Sequence, residues 1–386
     1  MADLPVIVVF ASQPLRLQSP PCPDYETRDL DCRCYTSDKT LNEILARERP
    51  DVIASFGNRS QYSRLESAPY DVRRRWLHFE TSTPSEADLE HAGAMVFCYF
   101  LRRALVANDE SAYNSSPLVS VFTPTFRTGE RLPRAYRSLQ SQTYNNWEWV
   151  VVDDSDDSGA TLQQLKDVAR TEPRLSIHAM HRHSGRIGEV KRRACALLRG
   201  RIFVELDHDD ELTPNALTDI VQTFQQNPDA GFVYSDWAEV AEDSGAPLSY
   251  GDRWAFGYGS YRIESYEGRE LLVANAPPLN AKTIRHIVGV PNHVRAWRSD
   301  IYWKIGGHNR NIHVADDYEL LLRTFLHTRM VHLPKLCYIQ HLNSGHNAQD
   351  RRRREIQRLV RCFSEHYEPQ IEERLRQLRV SDTISA

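Results

Sequence analysis

Apolar residues in this chain follow two rhythms that take turns. Short unbroken runs at residues 5–11, 51–56 and 76–79 read as strands. Around them, residues 39–48 and 86–106 repeat their apolar positions every three or four residues, as helices do. Residues 108–117, Asn-Asp-Glu-Ser-Ala-Tyr-Asn-Ser-Ser-Pro, are polar and turn-rich and read as a linker. The alternation then restarts. Strands are predicted at 118–123, 147–152, 175–179, 202–206 and 231–234, with helices at 130–142, around Leu162, Leu165 and Val168, and at 188–199 and 214–226. Strands and helices alternating at this spacing imply a mostly parallel sheet. Between 240 and 292 the periodicity fades into Gly, Tyr, Arg and Trp, which suggests an active-site flap or a partner surface. Beyond it come a Gly306-Gly307 turn, a helix over 316–325, a short strand over 330–333 and a helical tail over 350–380. The tail carries one stripe of Ile356, Leu359, Val360, Phe363 and Tyr367. The expected organisation is a Rossmann-like accessory α/β domain over 1–108, a linker over 109–117, a larger α/β domain over 118–348 and a helical tail over 349–386.

Composition narrows the function. The 386 residues carry a net charge of -4, with no strongly basic domain, which argues against nucleic acid as a partner. The seven cysteines are odd in number and scattered, which points to a reducing compartment and a cytoplasmic protein rather than a disulfide framework. No apolar run approaches a membrane span. The apolar opening is short and has no basic leader, so it reads as a first strand and not a signal peptide. The first domain contains only Gly57 and Gly93 and no Gly-x-Gly-x-x-Gly, so an accessory or docking role is expected of it. The tail opens with Arg351 to Arg354. It is expected to pack on its own domain, with peripheral contact at the inner face of a membrane as the alternative.

The chemistry concentrates at the ends of strands. The run 202–206 ends in Asp207, His208, Asp209 and Asp210. Three carboxylates at the mouth of a strand repel one another and call for a cation, and hard oxygen ligands suit Mg2+ or Mn2+. Asp207 and Asp209 are the candidate ligands of an ion that grips a diphosphate. The alternative is that Asp209 or Asp210 caps the following helix. An EF-hand loop does not fit, because Leu212 stands where that loop needs glycine. Arg186 and Lys191 precede the same strand, where a diphosphate needs positive partners.

Four segments in order carry a resemblance. They are Val119-Ser120-Val121-Phe122-Thr123-Pro124-Thr125-Phe126, Val151-Val152-Asp153-Asp154-Ser155, Leu206-Asp207-His208-Asp209-Asp210, and Gly306-Gly307 followed by Ala315-Asp316-Asp317-Tyr318-Glu319-Leu320. Together they resemble the inverting glycosyltransferases of family 2, which have the GT-A fold, over residues 118–346. The resemblance implies that Pro124, Thr125 and Phe126 cradle a nucleoside and that Asp154 accepts a hydrogen bond from uracil. It implies further that Asp209 is the direct ligand of Mn2+ or Mg2+, that Asp207 reaches the metal through water or holds the ribose, and that Asp317 is the general base. The implied reaction moves a sugar from a nucleotide-diphosphate sugar, a UDP-sugar above all, to a glycan or glycoconjugate hydroxyl. Lys191-Arg192 replaces the family's usual Arg-Asn pair. A nucleotidyltransferase is the alternative enzyme, although Arg127-Thr128-Gly129-Glu130 does not supply its Gly-rich loop. A non-catalytic nucleotide-sugar-binding scaffold is the alternative outside catalysis. His341 and His346 read as loop histidines, with a phosphate or metal contact as the alternative.

Overall fold

The computed structural model describes residues 6–11, 26–31, 38–48, 50, 52–68, 70–73, 75–81, 116–180, 183–251, 254–343 and 348–378. The expected helix at 86–106, most of the linker and His346 lie outside the described residues. The chain divides into two compact units, 1–112 and 113–386.

In the first unit, β1 (Val6–Ala11), β2 (Glu26–Asp31), β3 (Val52–Phe56) and β4 (Trp76–Phe79) form one parallel sheet in the order β2-β1-β3-β4. The run Glu-Thr-Arg-Asp-Leu-Asp of β2 is too polar to announce a strand. Val8, Phe10, Ile53 and Trp76 pack with Leu41 and Ile44 of the helix Asp38–Glu48, and this buried cluster is the unit's core.

The second unit is a large mixed sheet covered by helices. Its strands are β5 (Val119–Thr125), β6 (Trp147–Asp153), β7 (Leu175–Ala179), β8 (Ile202–Glu205), β9 (Glu211–Leu212), β10 (Ala230–Ala241), β11 (Ser260–Tyr266), β12 (Arg269–Asn275), β13 (Arg295–Arg298) and β14 (Arg329–Leu342). The order is β11-β12-β10-β13-β8-β5-β6-β7, with β14 paired to β10 and β9. Strands β7, β6, β5 and β8 are mutually parallel, as the alternation predicts. Beyond β8 the sheet turns mixed, because β13 enters antiparallel to both β8 and β10. The faded stretch 240–292 is also more ordered than expected. It holds the antiparallel hairpin β11–β12, which joins the sheet through β10, and the helix Ala281–His286, capped at both the Asn280 side chain and Thr283.

The tail helix Ala348–Leu378 lays Val360, Ile371 and Leu375, with Ile356, Phe363 and Tyr367, against Tyr318, Leu322, Phe325 and Ile284. Its apolar face is therefore covered by its own unit, as expected. Among the described residues no helix is long and apolar enough to cross a membrane.

Candidate active site

The strand order places three turns side by side, two of them acidic. The parallel strands β6, β5 and β8 are neighbours, so the turns after Asp153, Thr125 and Glu205 open on the same sheet edge, where α/β sheets bind ligands. His208 Nδ1 lies 2.9 Å from Thr128 Oγ1, so the loops after β5 and β8 touch.

At the turns after β5 and β6, Thr125 is buried and donates to Asp153 at 3.0 Å. Pro124 lies within β5 beside Val152, and Phe126 projects from the turn 41% exposed, stacked on His183 at 4.8 Å. Arg127, in the left-handed region at φ 48°, follows it and pairs with Asp156. Asp154 is buried. Its carboxylate accepts from the Ser184 backbone N–H at 2.7 Å, the Ser184 hydroxyl at 2.8 Å and the Gly185 N–H at 3.3 Å. The oxygens that the resemblance assigns to uracil are thus committed to the 183–185 loop. Arg186 follows that loop, exposed at the N-terminus of the helix Ile187–Ala196.

In the second turn the three carboxylates separate into two roles. Asp210 is buried and accepts from the Tyr338 hydroxyl and the His341 backbone N–H, both at 2.8 Å. Tyr338 Oη in turn accepts the Asp207 N–H at 3.1 Å. Asp210 therefore fastens the turn to β14, while Asp207 and Asp209 stay partly open. Arg134 donates to the Asp209 carbonyl and holds Glu242 with both its Nη atoms. Burial, reinforced by the charges of Glu205 and Asp209, pushes the Asp207 carboxyl up to about 6 against the pull of Lys191 and Arg295. His293 stacks on the Tyr338 ring at 4.3 Å with Nε2 3.7 Å from Asp207. Burial lowers its pKa to about 3, so it is a neutral imidazole.

The third element is a buried charge network that joins this turn to Asp317. Glu205, fully buried at the end of β8, pairs with Lys191 and lies 3.5 Å from Arg295. Arg295, 3% exposed at the head of β13, reaches Asp317 at 3.0 Å. Burial disfavours the Asp317 carboxylate, but the Arg295 and Lys191 charges outweigh it and hold the carboxyl below the usual range. Its neighbour Asp316 is buried 3.9 Å from Lys191 and 3.7 Å from His308, and burial pushes it up to about 7. Asp317 stands in the first turn of the helix Asp316–His327, entered through Ala315 in the left-handed region at φ 58°. Gly188 lets the helix Ile187–Ala196 approach the preceding loop, since a Cβ there would lie 2.3 Å from the Asn309 carbonyl oxygen. Arg192 donates to the carbonyls of Gly306 and His308 and holds the same loop.

This geometry corrects two expectations and supplies several residues that the sequence reading missed. His341 is not a loop histidine: it lies within β14, its side chain 8% exposed and Nε2 3.0 Å from Glu211. Lys191 is not a free cation for phosphate. It is buried between Glu205 and Asp316, because its helix faces β5 and β6 rather than the cleft. Glu205, Arg295, His293 and Tyr338 complete the site, and Asp210, already conspicuous in the acidic run, anchors its turn. Of the four, only Glu205 left a trace in the sequence, as the one carboxylate inside an otherwise apolar run.

The family model for glycosyl transferase family 2 matches residues 120–270. That stretch, within the second unit, is similar to the glycosyl transferases of family 2. Its α/β architecture, with acidic turns after β6 and β8 beyond the parallel strands, is consistent with the GT-A fold. The protein named for colanic acid biosynthesis, the glycosyl transferase WcaA of Escherichia coli (strain K12), is 34% identical over 122 residues, covering 32% of this chain and 43% of that protein. The hyaluronan synthase of Pasteurella multocida is 23% identical over 239 residues, covering 62% of this chain and 22% of that protein. The chain thus spans less than half the length of these relatives. Among solved structures, S. aureus TarS 1-349 in complex with UDP-GlcNAc is similar at a TM-score of 0.48 and 19% identity, covering 67% of this chain and 71% of that one.

The donors around the open turn fit a divalent ion in one specific way. Among the described residues no group of three or more His, Cys, Asp or Glu side chains could hold a metal. Asp207 and Asp209 are nonetheless two open carboxylates, and Mg2+-type ions are commonly held by one or two carboxylates with the remaining positions taken by substrate phosphates and water.

Proposed function

We propose that this protein is an inverting, metal-dependent glycosyltransferase that takes its sugar from a UDP-sugar and passes it to a saccharide hydroxyl. The observation that carries this reading is the link Glu205–Arg295–Asp317. The head of the Asp207–Asp209 turn and the carboxylate of Asp317 are gripped by one buried guanidinium, so the two share one end of the sheet.

Asp317 accepts the proton of the attacking hydroxyl. The Arg295 charge keeps it ionised at neutral pH, and a base so placed contributes roughly 100- to 10,000-fold. Direct displacement by the hydroxyl inverts the anomeric carbon and needs no enzyme nucleophile. Asp207 and Asp209 would hold Mn2+ or Mg2+, an ion that neutralises the charge growing on a departing diphosphate. Phe126 and the turn Pro124-Thr125 shape the nucleoside end, and Asp154 fixes the loop that closes it. Arg186 stands exposed at the mouth of that loop as the cation for phosphate. A UDP preference follows from the resemblance of the Pro124–Phe126 and Asp153–Asp154 turns to the family's nucleoside pocket. The names of the hyaluronan and chondroitin synthases among the relatives favour a polysaccharide acceptor.

The test is a panel of nucleotide sugars incubated with the protein, with and without Mn2+, scored for release of nucleoside diphosphate. Release from a UDP-sugar that requires the metal and falls by orders of magnitude in Asp317→Asn supports the reading. Equal release from Asp317→Asn removes its base.

A further inference from the structure

A band of aromatic rings leaves the Asp207 turn and runs outward across the sheet. It begins at Tyr338, whose hydroxyl holds the Asp207 N–H. Tyr338 is paired across the β10–β14 ladder with Trp237. Trp254 meets Trp237 edge-on at 5.6 Å, and Tyr250 and Tyr261 flank Trp254 at 5.4 and 5.8 Å. The first rings are core, as aromatic clusters usually are. The last ones are not, since Tyr250 is 51% exposed and Phe256, two residues beyond Trp254, is 58% exposed.

Two features distinguish this end of the band from ordinary surface. The first is that Tyr250 is exposed yet fixed at both ends. Its backbone N–H donates to the Tyr261 hydroxyl at 2.9 Å, and its own hydroxyl donates to Glu239, a buried carboxylate that also accepts from Trp237 Nε1 at 3.0 Å. A ring held in this way loses little freedom when something stacks on it. The second is that Ala255 and Phe256 are consecutive non-glycine residues in the left-handed region, at φ 53° and 57°. Such a turn is strained and persists only where the surroundings enforce it. Its product is an outward-facing Phe256 ring beside His286.

Resting on the glycosyltransferase reading above, we infer that Tyr250, Trp254 and Phe256 form the platform on which a saccharide acceptor lies as its hydroxyl enters the cleft. The C–H face of a pyranose stacks on aromatic rings, and its edge hydroxyls seek polar neighbours. This surface supplies both, since Arg262, Asn275 and Ser260 follow on the adjoining strands and hydrogen-bond one another. The side chains that shape it are aromatic or polar rather than aliphatic, which suits a sugar better than an acyl chain. Beneath it, the buried Trp237 and Tyr338 connect its base to the Asp207 turn.

The experiment titrates the full chain with hyaluronan, chondroitin, cellulose-derived and maltose-derived hexasaccharides, and with dodecyl phosphate. Tryptophan fluorescence and saturation-transfer NMR report binding. At least one saccharide is expected to bind, at least tenfold more weakly to Tyr250→Ala and to Phe256→Ala. Tyr250→Phe, which keeps the ring but frees it from Glu239, is expected to show a smaller loss. Ile263→Ser, exposed on the edge strand β11 outside the platform, serves as the control and binds like the unaltered protein. Unfolding midpoints confirm that each variant is folded. Saccharide binding that none of the platform variants weakens, no saccharide binding at all, or binding of dodecyl phosphate alone overturns the inference. Binding of UDP with Mn2+ to the unaltered protein is scored separately. Its absence counts against the glycosyltransferase reading, whereas its presence alongside a failed platform test counts against the platform alone.

Discussion

Replacing Arg295 by Met tests whether the buried guanidinium sets the proton affinity of Asp317. The substitution keeps most of the side-chain volume and removes the charge that lies 3.0 Å from Asp317 and 3.5 Å from Glu205. Glu205 keeps Lys191 as a partner, but Asp317 loses the strongest influence holding its carboxyl down. Two unit charges about 4 Å apart at an effective dielectric of about 20 interact by about 4 kcal/mol, equivalent to about 3 pKa units. The Asp317 side chain is 26% exposed, and water replaces part of that loss, so a rise of about 1–2 units is expected. The sign follows from what remains, because burial and the Glu205 charge both push the carboxyl up once Arg295 is gone. Breaking a buried pair costs about 3–5 kcal/mol, so Tm should fall by roughly 6–20 °C in a unit of this size. The assay is kcat/KM for UDP-sugar consumption against pH, at saturating Mn2+ so that proton competition at Asp207 is suppressed. In Arg295→Met the acidic limb moves upward by about 1–2 pH units from its position in the unaltered protein. Arg295→Lys, which keeps the charge, should restore most of the shift. An acidic limb that stays in place while Tm falls would refute the reasoning and reduce Arg295 to a packing role.

Further outcomes follow from the same geometry. Because Asp207 is pushed up to about 6, Mn2+ affinity measured calorimetrically with UDP present should weaken about tenfold per pH unit below that value, as metal and proton compete for one carboxylate; a flat profile from pH 5 to 8 would remove Asp207 from the ligand set. Asp316 is pushed up to about 7, so the folded chain binds its proton more tightly than the unfolded chain does; its contribution to stability is complete below about pH 4 and is lost as pH rises through about 7. Asp316→Asn should therefore raise the urea midpoint at pH 8, raise it less at pH 5 and change it little at pH 4, and a lower midpoint at pH 8 would contradict this. Tyr338→Phe leaves the buried Asp210 carboxylate without its hydroxyl donor and should cost about 1–3 kcal/mol by denaturant unfolding. Gly188→Ala drives a Cβ to 2.3 Å from the Asn309 carbonyl oxygen, a backbone atom that cannot swing away, and should cost at least about 2 kcal/mol and lower turnover by displacing the loop before Asp317.

The parallel half of the sheet was readable because its strands are continuous apolar runs between helices. The mixed half was hidden for reasons that can be named. In β11–β12 the turn at Glu267 and Gly268, with φ 49° and 76°, is a left-handed pair with Glu where Asn or Asp usually signals a hairpin. Pro334 and Lys335 break the apolar pattern of β14 near the point where its register with β10 shifts, so only its first residues looked like a strand. Strand β13 is Arg-Ala-Trp-Arg, and two buried arginines read as surface until their partners are known: Asp317 and Glu205 for Arg295, and the carbonyls of Ala230 and Phe224 for Arg298. Acidic residues at the ends of elements, Asp207, Asp209 and Asp317, stood out from the sequence. The cation that ties them together, some ninety residues from one and twenty from the other, did not.

The fate of Lys191 bears on the metal that the proposed reaction calls for. From sequence it looked like the positive charge awaiting a diphosphate, with Arg186 as its companion. In the structure, Lys191 and Arg295 lie beneath the turn, committed to Glu205, Asp316 and Asp317, and their charge is largely spent on the site's own carboxylates. What faces the cleft is the pair Asp207 and Asp209. A diphosphate brought to two carboxylates meets like charge, and at an effective dielectric of about 20 each close pair of unit charges costs about 4 kcal/mol. Exposed Arg186 cannot offset this alone, since a charge-assisted hydrogen bond contributes about 1.5–3 kcal/mol. A cation between the carboxylates and the phosphates reverses the sign of the interaction. Protonating Asp207 relieves only one of the two repulsions, and only below about pH 6. On the proposed reading, metal dependence follows from where the buried cations are spent: UDP should bind far more weakly without Mn2+ than with it at pH 8, and the gap should narrow on acidification as the Asp207 carboxylate is titrated.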